Sequence, residues 1–199
     1  MYKIIAAIAR TILFVNGAKA KVYGKENVPT EGGFIVACTH NGYVDIFNLA
    51  ASIYPREIHF MAKKELFEIK GLGWLINRLN AFPVDRANPG PSVIKIPRKL
   101  LKEGKIVGIF PSGTRTTEST SLKAGAVTIA QLSKAQILPA AYIGPKNMKG
   151  VFKREKAYLI YGKPFTVDAS KEASEEASQF LEAELVRLTA ELEAEINKK

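Results

Sequence analysis

Phe34-Ile35-Val36-Ala37-Cys38 runs straight into Thr39-His40-Asn41-Gly42-Tyr43-Val44-Asp45, and this junction decides the fold class and shows where to look for chemistry. An unbroken apolar run of this length is what a strand covered on both faces displays. The polar, glycine-bearing turn that follows puts His40 where backbone leaves a sheet and side chains face a cleft. Ile46–Ile53 then has a helical pattern, so the unit reads strand, turn, helix. The alternation continues outward. Glu57–Met61 is strand-like, and Lys64–Leu79 is helical in composition, weakened at Gly71 and Gly73. Ala81–Val84 is short and extended, and Ser92–Lys102 is a helix with Pro97 inside and Gly104 as its stop. Lys105–Phe110 is a buried strand closed by Pro111, Gly125–Lys134 a helix, and Ile137–Ile143 and Ala157–Tyr161 two more strands. Leu181, Leu185, Leu188, Leu192 and Ile196 form one stripe of a closing amphipathic helix. Strands alternating with helices predict an α/β layer fold. No repeat, low-complexity stretch or linker divides the chain, so it is expected to be one domain.

The first segment, Met1–Gly17, is an apolar helix in which Ile4, Ile5, Ile8, Ile12 and Leu13 are interrupted by Lys3 and Arg10. Three readings compete. A signal peptide would use Ala18-Lys19-Ala20 as its cleavage site, but Arg10 splits the hydrophobic core that such a signal needs. A terminal helix packed on its own domain is the second. The third is an interfacial helix, apolar in the acyl boundary with Lys3, Arg10, Lys19 and Lys21 near anionic headgroups, and it suits a segment so short of polar residues best. It sets expected boundaries at 1–20 for this helix and 21–199 for the α/β unit. No window holds 18 uncharged apolar residues, so no segment is expected to span a bilayer alone.

Charge is unevenly spread. Ser170–Lys199 holds eight Glu against four Lys and Arg, so of the overall +10 the first 169 residues carry +14 and the tail −4. Such an excess implies a polyanionic partner, be it nucleic acid, an anionic membrane or a phosphorylated substrate. The basic residues are not interleaved with aromatics and no nucleic-acid-binding pattern is present, which argues against the first. The single cysteine, Cys38, cannot form an internal disulfide, and with only His40 and His59 beside it no zinc site is expected.

Three segments could carry chemistry. Five residues apart on a continuous helix, His40 and Asp45 would point about 140° apart. A turn at Asn41-Gly42 instead lets the helix begin near Tyr43 and returns the carboxylate to the imidazole. A carboxylate on Nδ1 fixes the tautomer and leaves Nε2 as a general base, which is what activating an alcohol requires. Taken alone, the spacing also fits a strand end followed by a helix-capping Asp. In Phe110-Pro111-Ser112-Gly113-Thr114-Arg115, the glycine lets backbone N–H groups approach an anion and Arg115 offers a fork for a phosphate; an ordinary polar loop is the alternative. Ala81-Phe82-Pro83-Val84-Asp85-Arg86 brings a strand into a charged pair, where Arg86 is either a second phosphate contact or the surface partner of Asp85. Lys123 adds charge eight residues after Arg115, and Lys63 and Lys64 follow another strand with less to recommend them.

Together and in this order, the segments resemble the glycerolipid acyltransferase family, and within it the bacterial 1-acylglycerol-3-phosphate acyltransferases. His40 to Asp45 is similar to the family's His-x4-Asp block, and Phe82 to Arg86 to its apolar-x-Asp-Arg block. Phe110 to Arg115 matches Phe-Pro-Glu-Gly-Thr-Arg at every position but one, and Ile137-Leu138-Pro139-Ala140-Ala141 matches the apolar-Pro-apolar strand. The resemblance spans about Tyr23 to Pro164. Thr39 stands where the family has Asn or Ser, and Ser112 where it has Glu. The resemblance implies a single α/β domain with a mixed central sheet flanked by helices. It implies acyl transfer from acyl-ACP or acyl-CoA to the 2-hydroxyl of 1-acylglycerol-3-phosphate (lysophosphatidic acid), giving phosphatidic acid. His40 would be the general base and Asp45 its orienting group, with Arg86, Ser112, Gly113, Thr114, Arg115 and Lys123 contacting substrate. No metal and no cofactor beyond the acyl thioester is implied, and the expected place is peripheral or monotopic, on the cytoplasmic face of the cell membrane. Rival readings are a serine hydrolase built on Ser112, which lacks the Gly-x-Ser-x-Gly elbow, a Cys38–His40 dyad, a basic nucleic-acid-binding module and a catalytically idle lipid binder. His59 reads as structural, and Leu66 to Ile76 with Trp74 as either core or an interfacial patch.

Overall fold

The computed structural model describes residues 2–85, 88, 90–111 and 116–198. Seven strands form one sheet: β1 (Lys21–Tyr23), β2 (Phe34–Cys38), β3 (Ile58–Lys63), β4 (Phe82–Val84), β5 (Ile106–Ile109), β6 (Gln136–Ile143) and β7 (Tyr158–Tyr161). Their order is β1-β7-β6-β2-β5-β3-β4. From β6 to β4 all neighbours are parallel, while β7 runs antiparallel to β6 and takes β1 as a parallel partner. The sheet is therefore mixed. β2 is central, and all five of its residues are buried, as its apolar run requires.

Helices cover both faces. On one lie α1 (Tyr2–Val15) and α2 (Val44–Ile53); on the other lie α5 (Ser92–Lys102), α6 (Thr116–Ser133) and α8 (Lys171–Asn197). Alternation along β2 feeds the two cores separately. Ile35 and Ala37 pack with Leu101, Val127 and Leu181, whereas Phe34, Val36 and Cys38 pack with Leu49 and Ile53. Leu13 of α1 reaches its own small cluster with Val44 and Val151. α8 buries Ala177, Leu181, Leu185, Leu188 and Leu192, and starts where the Ser170 hydroxyl accepts from the Ala173 N–H at 3.0 Å.

Two expectations need correction. Lys64–Leu79 is not one helix but two, α3 (Glu65–Glu68) and α4 (Leu72–Arg78). Ile69 is extended and Gly71 takes φ +80°, a left-handed value that breaks the ladder, while Gly73 sits so close to the Phe67 carbonyl that a Cβ would lie 2.2 Å from its oxygen. α6 begins at Thr116 rather than Gly125, because a Thr/Ser-rich run with loop-like propensity is nonetheless helical. α7 (Met148–Phe152) and β1 are additional short elements.

The topology also says where a ligand belongs. β2 and β5 are neighbours, but β2 leads into α2 on one face and β5 into α6 on the other. Where adjacent parallel strands send their connections to opposite sides, a crevice opens beyond their carboxyl ends. His40 follows β2 and Phe110 follows β5, both at that point.

Candidate active site

His40 and Asp45 meet. Nδ1 of His40 lies 3.1 Å from Oδ2 of Asp45, with the carboxylate wholly buried and the imidazole 38% exposed. The Asn41-Gly42 turn makes this possible, and it does more than reverse the chain. The backbone N–H groups of Asn41 and Gly42 donate to the same Oδ2 at 2.9 and 3.2 Å, and the Ile46 N–H donates to Oδ1 at 2.7 Å. Three main-chain donors thus hold the carboxylate before the imidazole reaches it. A carboxylate only accepts, so His40 donates through Nδ1, and Nε2 is the ring nitrogen able to take a proton.

The ring also rests on an aromatic neighbour, tilted 35° to it. Phe110 lies against His40 with centroids 4.6 Å apart, and Phe60 of β3 stacks on Phe110 at 5.8 Å. Phe60 did not stand out in the sequence as part of the site. Phe110 belongs to the Phe-Pro block, but nothing in one sequence says its ring meets a residue seventy positions earlier.

A splint from the far side of β2 holds the catalytic turn. The Thr39 N–H donates to the Ala140 carbonyl at 3.1 Å, and its hydroxyl accepts from the Tyr142 N–H at 2.9 Å. That hydroxyl is what Thr39 shares with the serine variant of the block. Asn41 Nδ2 donates to the Tyr142 carbonyl, the Tyr43 N–H to the Lys146 carbonyl, and the Met148 N–H to the Tyr43 hydroxyl. Gly42 is pressed so closely on this segment that a Cβ would lie 2.0 Å from the Lys146 carbonyl oxygen. Buried Asn48 ties α2 to the Ala20 N–H at 2.8 Å and approaches the Tyr142 hydroxyl.

Cys38 is fully buried in β2, and burial, then the nearby Asp45 carboxylate, push its thiol well above the ordinary range. A thiol held protonated in the core is no nucleophile, so a Cys38–His40 dyad has no footing. Lys123 is brought to the same end of the sheet but is nearly buried, with its ammonium 2.6 Å from Glu182 of α8. With Thr39, Pro111 and Leu185 it lines a cavity of about 370 Å³ between α6 and α8. Lys64 pairs with Asp85, whose other oxygen accepts from the Asn88 N–H at 2.9 Å. Arg86, Ser112, Gly113, Thr114 and Arg115 lie outside the described residues. His59 is half-buried in β3, away from His40, with a buried Nδ1 that has no hydrogen-bond partner among the described residues. No group of His, Cys, Asp and Glu able to hold a metal occurs among the described residues.

Comparison with known proteins gives the family and the fold. A 1-acyl-sn-glycerol-3-phosphate acyltransferase of Bacillus subtilis (strain 168) is 57% identical over 164 residues, which is 82% of each chain. The protein of the same name in Streptococcus pneumoniae (strain ATCC BAA-255 / R6) is 33% identical over 88% of this chain and 66% of its own length. The fold is that of the crystal structure of the 1-acyl-sn-glycerophosphate (LPA) acyltransferase PlsC from Thermotoga maritima, with a TM-score of 0.68 at 24% identity, covering 95% of this chain and 80% of that one. The family model named Acyltransferase matches residues 19–143, a span holding both partners of the His40–Asp45 pair, and the chain belongs to the acyltransferase family.

Proposed function

We propose that this acyltransferase moves a fatty acyl group from an acyl thioester to the 2-hydroxyl of 1-acyl-sn-glycerol-3-phosphate, giving phosphatidic acid. The observation that carries the reading is the His40–Asp45 contact at the sheet's switch point, in a chain 57% identical to a protein named for that activity. His40 Nε2 takes the proton of the acceptor hydroxyl as its oxygen attacks the thioester carbonyl carbon. The tetrahedral intermediate collapses, the C–S bond breaks, and the sulfur leaves with the proton returned by His40. A thiol of pKa about 8.5 is a good leaving group, so no strong acid is needed. Asp45 keeps the imidazole in one tautomer and stabilises the imidazolium. Arg86 and the segment from Ser112 to Arg115 are proposed to hold the acceptor's phosphate, with backbone N–H groups near Gly113 assisting.

The donor is acyl carrier protein or a coenzyme A thioester, and the acceptor lives in a bilayer, so the enzyme works at an anionic membrane surface. α1 supports that placement. Ile4, Ile8, Ile12 and Val15 are exposed along one stripe while Leu13 packs inward, and the Arg10 guanidinium lies over Tyr54 at the flank. Ile69 and Trp74, both more than half exposed, add a second apolar patch on α3–α4 rather than joining the core. No helix among the described residues is long and apolar enough to cross a membrane. We therefore place residues 1–20 in the interface of the cytoplasmic leaflet, with 21–199 as the α/β unit above it.

The test is thioester consumption by the purified protein with and without lysophosphatidic acid, followed by product analysis. Acceptor-dependent phosphatidic acid that falls on the order of 10²–10⁴-fold in His40→Ala is expected. Thioester loss without acceptor would instead indicate a hydrolase. For α1, Ile8→Asp is expected to weaken sedimentation with anionic vesicles while turnover of detergent-dispersed substrate persists.

A further inference from the structure

One short helix with an apolar and a basic face has no role in the chemistry above. α5 buries Leu101 against β5 and packs Val93, Ile94, Ile96 and Leu100 toward the same core. Its opposite face is basic: Lys95, Arg98, Lys99 and Lys102 recur at i, i+3, i+4 and i+7, all exposed, and line one surface depression together with Glu103. Glu103 is 4.0 Å from Lys99 and 2.6 Å from Lys105. Among the described residues no carboxylate pairs with Lys95, Arg98 or Lys102. One acidic group therefore sits in a strip of five cations.

From these observations we infer that the basic face of α5 is the docking surface for an acidic protein that carries the acyl group as a thioester. The inference rests on the acyl transfer proposed above and names one form of donor for it. Placement separates this partner from the membrane. The exposed apolar stripe of α1 lies on the α2 side of the sheet and α5 on the other, so a bilayer lying flat on α1 leaves the α5 face in water. Orientation supplies the route to His40. The Leu101 and Lys105 carbonyls crowd Gly33 just before β2, so α5 ends at the edge where β2 begins and its N-terminal half points to the catalytic edge. The strip runs from Lys95 back toward the opposite edge, so a flexible thioester-bearing arm of the partner has to follow the length of α5, roughly 16 Å for its 11 residues, to reach the catalytic edge. A row of cations without apolar anchors suits a fast, salt-sensitive encounter with a donor that must leave after each turnover.

The experiment uses the full chain and the double reversal Arg98→Glu/Lys99→Glu, with palmitoyl-acyl carrier protein and palmitoyl-CoA as alternative donors. Expected is a KM for the carrier thioester raised about tenfold or more, kcat within about twofold, and a flatter salt dependence. Binding to phosphatidylglycerol-containing vesicles should be unchanged and so should the circular dichroism melt. An unchanged KM for the carrier overturns the inference. If vesicle binding falls at the same time, the strip is a membrane contact; if nothing moves, it is a solvated face. Turnover of palmitoyl-CoA alone by the wild type also overturns it, while leaving the acyl-transfer reading intact. Should the wild type turn over neither donor, that reading fails, and anisotropy of fluorescently labelled carrier protein against wild type and double reversal still decides the surface.

Discussion

Replacing Gly42 with alanine tests whether the catalytic pair is held by the turn or merely sits near it. The added methyl would lie 2.0 Å from the Lys146 carbonyl oxygen and 2.7 Å from both its carbonyl carbon and Cα. These are backbone atoms at the end of a hydrogen-bonded segment, so neither side can swing away cheaply. Restoring an ordinary contact of about 3.4 Å or more needs a separation increase of roughly 1.4 Å. A movement of that size breaks the Tyr43 N–H bond to the Lys146 carbonyl and draws the Gly42 N–H, already 3.2 Å from Asp45 Oδ2, out of range. Overpacking of this kind costs about 1–3 kcal/mol of stability. The catalytic effect should be larger, because a displacement of about 1 Å in a positioned base costs on the order of 10²-fold. The assay is kcat for phosphatidic acid formation alongside thermal unfolding, with Gly125→Ala as control. Gly125 is helical with nothing within 4 Å of its would-be Cβ, so alanine there should be neutral or stabilising by up to about 1 kcal/mol. A Gly42→Ala enzyme with normal kcat and normal melting would refute the claim that this turn sets the geometry of Asp45.

Four further outcomes are expected. Asp45→Asn should lose activity on the order of 10²–10⁴-fold and about 1–3 kcal/mol of stability, since donors surround both oxygens and an amide –NH2 must face one set of them; kinetics with chemical denaturation checks both. Thr39→Val should cost about 1–3 kcal/mol by orphaning the Tyr142 N–H while Thr39→Ser costs less, read as a shift in urea midpoint. Glu182→Gln should destabilise more than Lys123→Met, because it strands a buried ammonium whereas the reverse leaves a well-solvated carboxylate; thermal melts of the two variants decide it. Burial and then Lys105 hold His59 below the ordinary histidine value of 6.5, so the unfolded chain binds the extra proton first. Stability should decline as pH falls through 6.5, and His59→Gln should flatten that slope in pH-dependent denaturation.

What could be read from the sequence divides along a physical line. β2 and α5 were legible nearly to the residue, and so was the leucine ladder of α8 although not its first ten residues, because each carries an uninterrupted pattern. The split between α3 and α4 was not, because it depends on Gly71 adopting a positive φ and Gly73 packing on Phe67, neither of which composition encodes. β1 is only three residues long and owes its existence to β7, more than a hundred positions away. The catalytic pair belongs to the legible class, since its geometry is settled within a handful of residues. Phe110 and the Tyr142–Met148 splint belong to the other, because their contacts with the turn join segments that only the folded sheet brings together.

These contacts account for the length of β6. Eight residues are more than pairing with β2 requires, since β2 itself has five. Beyond Ala140 the strand leaves its partner but continues beside the catalytic turn, where the Tyr142 N–H donates to the Thr39 hydroxyl and the Tyr142 carbonyl accepts from the Asn41 amide. The antiparallel β7 supports this overhang, pairing with Ala140 through Ile143 on the other side. Without β7 the overhang would be an open edge at the point where the general base must be rigid. β7 thus gives the turn a paired strand to lean on, and the paired overhang and the buried carboxylate solve one problem: a base held in place when the hydroxyl arrives.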